Sequence, residues 1–129
     1  MLREDFERLV SAALESLPTE FQAKLDNVEV VIEDVASFKQ AQSVGLRPGM
    51  TLFGLYQGVP KTKRGAGYTL TLPDKITIFQ KPIEFFYRNE ETIKAKVRET
   101  VLHEIGHHFG LSDAEILRAI IEKETKRNP

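Results

Sequence analysis

All three histidines of this 129-residue chain fall inside one stretch, HEIGHHFGLSD, residues 103–113. His103 and His107 stand four positions apart. On an α-helix that spacing puts both rings on one side, about 6 Å apart along the axis. Two imidazole nitrogens so placed can converge on one ion, at the roughly 2.0–2.1 Å typical of zinc. Glu104 lies beside them, offset enough that it need not bind the ion, and it can serve a water held there as general base. A catalytic site of this kind takes a third protein ligand and keeps one corner for water. Past His107 and His108 comes Phe109, then Gly110, where a glycine lets the chain leave a helix through a backbone angle other residues resist. Asp113 follows three positions later, where a carboxylate can swing back to the ion.

Each of these residues also has a plainer use. Asp113 precedes an apolar helical run and suits a helix N-cap. Glu122 and Glu124 are the other carboxylates that a following helix would offer as third ligand. His108 points to a different side from its neighbours and reads as a bystander or a support for the ligands. Tyr56, Tyr68 and Tyr87 are candidates for polarising an oxyanion, yet nothing in the sequence selects among them and packing explains each.

The elements that must position this stretch follow from periodicity. Ile93, Val97, Val101, Leu102 and Ile105 mark a long helix from about Asn89, with Asn89 or Thr92 as N-cap and Gly110 as its stop. Ser112 or Asp113 caps a last helix through Ile116, Leu117, Ile120 and Ile121. Upstream, Phe6, Leu9, Val10, Ala13, Leu14 and Leu17 form an amphipathic first helix that Pro18 closes. NVEVVIEDV, residues 27–35, alternates and is rich in β-branched residues, the signature of a strand. Residues 36–49 read as loop with a short helix, and residues 50–58 as a second strand. VPKTKRGAGY, residues 59–68, is an exposed loop whose Lys61, Lys63 and Arg64 face solvent. TLTLPDKITIFQKPI gives a strand pair broken at Pro73-Asp74; its surer half is residues 75–80, with Pro82 ending it. Helix, strands, then two helices make an α+β plan with a small mixed sheet.

Composition sets outer bounds. Apolar residues make up 41% and charged residues 29%, ordinary for a globular chain, so a single domain over residues 1–129 is expected. A net charge of −1 argues against a nucleic-acid-binding face. Cysteine is absent, which removes disulfides, thiolate ligands and a cysteine nucleophile together. The opening MLREDFERLVSAALESL is charged through its first half, unlike a secretory signal, and no apolar run approaches the ~20 residues that span a bilayer. A cytoplasmic protein without a membrane partner is the expectation.

HEIGHHFGLSD resembles the extended zincin pattern H-E-x-x-H-x-x-G-x-x-H/D, with Asp113 at the position of the third histidine of metzincins. More closely, the chain resembles the minimal zincin-like metallopeptidases, small bacterial proteins whose zinc helix lies near the C-terminus. LFGLYQGVP, residues 52–60, and LPDKITIFQKPI, residues 72–83, are similar to the segments preceding that helix, so the likeness runs from about Val28 onward. The resemblance implies a zincin-like α+β fold, with His103, His107 and Asp113 on zinc and Glu104 as catalytic base. It also implies hydrolysis of a peptide or protein substrate lying extended along an edge strand, for which residues 75–80 are the guess. Metzincins place a methionine turn under the metal, whereas the methionines here are Met1 and Met50. Shallow substrate binding, or a cleft completed by a partner, is expected.

Two other readings share part of the pattern. A bacterial endoribonuclease family of ribosome maturation carries H-x-x-x-H-x-x-G-x-D-H, but here Ser112 and Asp113 stand at its last two positions. Glu104, directly after the first histidine, favours the peptidase. A non-catalytic zinc domain would be closed by four ligands and would favour cysteine, which this chain lacks.

Overall fold

Apolar residues three and four positions apart build the first helix, α1 (Arg3–Glu15), whose Phe6, Val10 and Ala13 face inward. The computed structural model describes residues 1–47, 49–58 and 74–127, with side chains to residue 121. Pro18 separates α1 from a short helix, α2 (Thr19–Lys24), which buries Phe21 and runs into one 3-10 turn, Leu25–Asn27. The β-branched run then forms strand β1 (Val28–Glu33). Helix α3 (Phe38–Ser43) begins at a reciprocal cap, in which Gln40 N donates to Ser37 Oγ and Ser37 N donates to the Gln40 side chain.

Among the described residues, strands β2 (Gly54–Gln57) and β3 (Asp74–Phe79) join β1 in a three-stranded sheet in the order β1-β3-β2. β1 runs parallel to β3, from Val28 opposite Asp74 to Glu33 opposite Phe79; β2 runs antiparallel to it, with Tyr56 opposite Ile76. The sheet is therefore mixed, and β3 is its centre. Residues 59–68, and the half of the expected strand pair at residues 69–72, lie outside the described residues. Pro82 does not simply end a strand. It occupies the first turn of helix α4 (Gln80–Phe86), where an absent N–H leaves no helical bond unmade.

Helix α5 (Glu90–His108) starts where Thr92 N donates to Asn89 Oδ1 at 2.9 Å. It is the centre of the molecule, buried on several sides. Val97, Val101, Leu102 and Ile105 are fully buried and share one core with Phe6 and Val10 of α1, Ile76 and Ile78 of β3, and Ile116 of the last helix, α6 (Asp113–Arg127). The arrangement is the α+β plan expected from the sequence. Among the described residues no helix is long and apolar enough to cross a membrane.

α5 touches β2 as well as the core, and one glycine makes that approach possible. A Cβ on Gly54 would lie 2.5 Å from Thr100 Cγ2 and 3.3 Å from the Thr77 carbonyl. Gly54→Ala is expected to destabilise the fold by roughly 1–3 kcal/mol, the usual cost of overfilling a packed contact. Thr100→Ser, which deletes the obstructing methyl, should restore most of that loss in the double variant, read by urea unfolding.

Candidate active site

The last turn of α5 and the first turn of α6 build the site together. Gly110 adopts φ +79, the left-handed conformation that glycine takes without steric cost. Gly110 N donates to His107 O at 3.2 Å and Leu111 N to Gly106 O at 2.8 Å, a paired closure that satisfies carbonyls at the helix end. The chain thus reverses within three residues. Ser112 then caps α6: Glu115 N donates to Ser112 Oγ, and Ser112 N donates back to Glu115 Oε1, each at 3.2 Å. Because Ser112 performs that task, the carboxylate of Asp113 is turned elsewhere. Its Oδ1 lies 2.8 Å from His107 Nε2.

His103, His107 and Asp113 come together. One ligating atom from each lies within 4.8 Å of the other two, His103 partly buried and the other two exposed. Donors around a tetrahedral zinc stand about 3.3 Å apart, given metal–ligand distances of roughly 2.0–2.1 Å. Modest side-chain rotation therefore suffices to bring all three to one ion, and two imidazoles with a carboxylate are a suitable zinc donor set. The hydrogen bond with His107, followed by that ring's charge, holds the Asp113 carboxyl below the usual range. Glu122 and Glu124, the other carboxylates considered for the third position, lie outside the described side chains.

Glu104 faces β2. Phe79 N donates to Phe53 O at 2.9 Å, and hydrogen-bonded pairs alternate along an antiparallel ladder. Leu55 and Gln57 therefore turn their backbone groups toward β3, while Gly54 and Tyr56 turn theirs outward. The Tyr56 amide meets the Glu104 carboxylate. Burial pushes the Glu104 carboxyl up, and that backbone hydrogen bond and the charge of His107 partly offset the rise.

At the same seam stand His108, which the sequence marked as a bystander or a support, Tyr56, one of three tyrosines it could not choose among, and Asp74, which it did not single out. His108 stacks on Tyr56 with ring centroids 3.9 Å apart, and its Nε2 lies 3.7 Å from Asp74 Oδ2. Tyr56 donates to that same oxygen at 2.7 Å. Gly58 belongs to this contact, since a Cβ there would sit 3.4 Å from His108 Cε1. His108 is thus a support at the β2–α5 seam. Gly106, inside the motif, was also missed: a Cβ there would stand 2.6 Å from Ile116 Cγ1, so the glycine admits α6 against α5. A motif position written as "any residue" carries no signal of such a contact.

One expectation is corrected. Residues 75–80 were the guess for the strand beside which a substrate lies, but β3 is central and bonded on both sides. Among the described residues, β2 is the outer strand next to Glu104.

The family model described as zincin-like metallopeptidase matches residues 25–121. The chain belongs to this family. No curated protein matches the zincin described here. Membership points to a zinc-dependent peptidase in general terms, and it agrees with the small mixed sheet and the long helix carrying the histidines.

The division of labour between Ser112 and Asp113 can be tested on the metal-free protein. Ser112→Ala should cost about 1 kcal/mol, the usual loss for a removed N-cap. Asp113→Ala should cost distinctly less, because its 86% exposed carboxylate caps nothing. Urea unfolding of the two variants checks the order.

Proposed function

We propose that this zincin hydrolyses peptide bonds, with zinc on His103, His107 and Asp113 and with Glu104 as general base. The observation that carries the reading is the convergence of those three donors within 4.8 Å at the helix end that also bears Glu104. When bound, zinc supplies an acidified water and a Lewis acid for the carbonyl oxygen of the substrate.

The chain's own residues do the rest. Glu104 accepts the proton of the attacking water on a carboxylate oxygen and returns it to the amine nitrogen as the carbon–nitrogen bond breaks. Water thereby adds hydroxyl to the carbonyl carbon and hydrogen to the leaving amine. Partial burial suits Glu104 to this work, since a carboxylate shielded from water is a stronger base than a solvated one. The Tyr56 amide and the neighbouring β2 backbone fix where that carboxylate stands.

The substrate is proposed to lie extended beside β2, the strand whose outer side turns toward Glu104. Two exposed ligands, His107 and Asp113, suit an open polypeptide chain, which needs no deep cleft to reach the metal.

Glu104→Gln should abolish turnover of an unfolded protein substrate while zinc content stays near one per chain, read by metal analysis beside a cleavage assay. Asp113→Ala should lower zinc retention by at least about tenfold, since one of three protein ligands is lost. A Glu104→Gln variant as active as wild type would refute the general-base role. Chelator-sensitive cleavage of structured RNA, with protein substrates left intact, would favour the ribonuclease reading instead.

A further inference from the structure

At the end of the sheet remote from His108, a groove of about 450 Å³ opens where β1 and β3 finish and β2 begins. Val35, Met50, Leu52, Phe85 and Phe86 wall it, and all but Leu52 are more than half exposed. So many large apolar side chains left to water in one place mark a binding surface. Lys81 stands among them.

The charges around the groove are lopsided. Asp34 is engaged by Arg3, and Glu84 by Gln80 and the N-terminal amine. Lys81 has no acidic partner among the described residues; the same is true of Arg88, which sits over the Phe85 ring. An occupant that is apolar and carries a carboxylate fits this surface on both counts.

The groove also lies in line with the candidate active site. Leu52 is on its wall, and Tyr56, whose amide meets Glu104, lies four residues further along the same segment. That span is about 13 Å at roughly 3.3 Å per extended residue. We propose that the groove is a distal subsite of the peptidase, which takes an apolar side chain of an extended polypeptide, four to five residues from the cleaved bond, with an acidic residue next to it at Lys81. This inference rests on the peptidase reading above and adds a preference to it.

The test uses the full zinc-loaded chain and two peptide series sharing one cleavable segment, extended on either flank. The fourth and fifth residues from the bond are Phe-Asp in one series and Ser-Ser in the other. Phe-Asp on one flank should raise kcat/KM about tenfold or more, chiefly through KM, as expected for a buried aromatic ring. Phe85→Ser should remove that gain and leave Ser-Ser cleavage unchanged, and Lys81→Glu should move the preference from Phe-Asp to Phe-Lys. Binding gives a second readout: a fluorescein-labelled Phe-Asp peptide should bind the metal-free Glu104→Gln chain about tenfold tighter than its Ser-Ser counterpart, a difference that Phe85→Ser erases. Equal cleavage of both series by the wild type overturns the distal subsite and leaves the peptidase reading standing. Cleavage of neither series overturns both. A concentration-dependent dimer that Phe85→Ser disperses would assign the groove to a second copy and overturn the proposal.

Discussion

A helix can end facing almost any direction, and here a single left-handed residue decides which. With Gly110 at φ +79, two peptide hydrogen bonds fold the chain back on the last turn of α5, and α6 starts beside His107. Everything at the donor cluster depends on that reversal. Ser112 reaches the cap position, Asp113 is released to face the imidazole, and Ile116 drops onto the bare backbone of Gly106. Any residue with a Cβ at position 110 would have to hold a conformation that L-amino acids disfavour.

The second organising contact is the seam between α5 and β2. Phe53, Gly54, Tyr56 and Gly58 meet Lys96, Thr100, Glu104 and His108 in the same order along the two elements. Steps of four residues on the helix match one or two on the strand because the strand rises about twice as far per residue. Among the described residues, the main-chain amide of Tyr56 is the hydrogen-bond partner that holds Glu104. Burial and the Tyr56 amide act on it in opposite directions, so the carboxylate is both shielded and fixed in place.

How legible this was in the sequence depends on the range of each interaction. The spacing of His103, Glu104 and His107, the cap at Asn89 and the stop at Gly110 are local, and local rules read them correctly. Ser112 and Asp113 both suit a cap, and only the geometry of the reversed chain assigns the role to Ser112. The order β1-β3-β2 was not legible, because pairing joins segments far apart and each strand looks equally fit to be an edge. Helices α2 and α4 were overlooked because six or seven residues are too few to show a period, and Pro82 looked like a terminator although it suits a helix start. Tyr56 could be told from Tyr68 and Tyr87, and Asp74 found at all, only through their contact with His108, which no spacing encodes.

The two halves of the site draw on very different lengths of chain. The three donors belong to one contiguous run from His103 to Asp113, while the amide that aligns Glu104 comes from a strand formed far upstream. The donor cluster rests on contacts local in sequence and the Tyr56–Glu104 contact on a long-range one, and units of such different range can form and open separately. On the proposed reading, capture of an ion and alignment of the base are therefore separable events. On the proposed reading, a molecule whose β2 has peeled away would still present the three donors but not the amide beside Glu104, so metal loading alone would not certify a working enzyme.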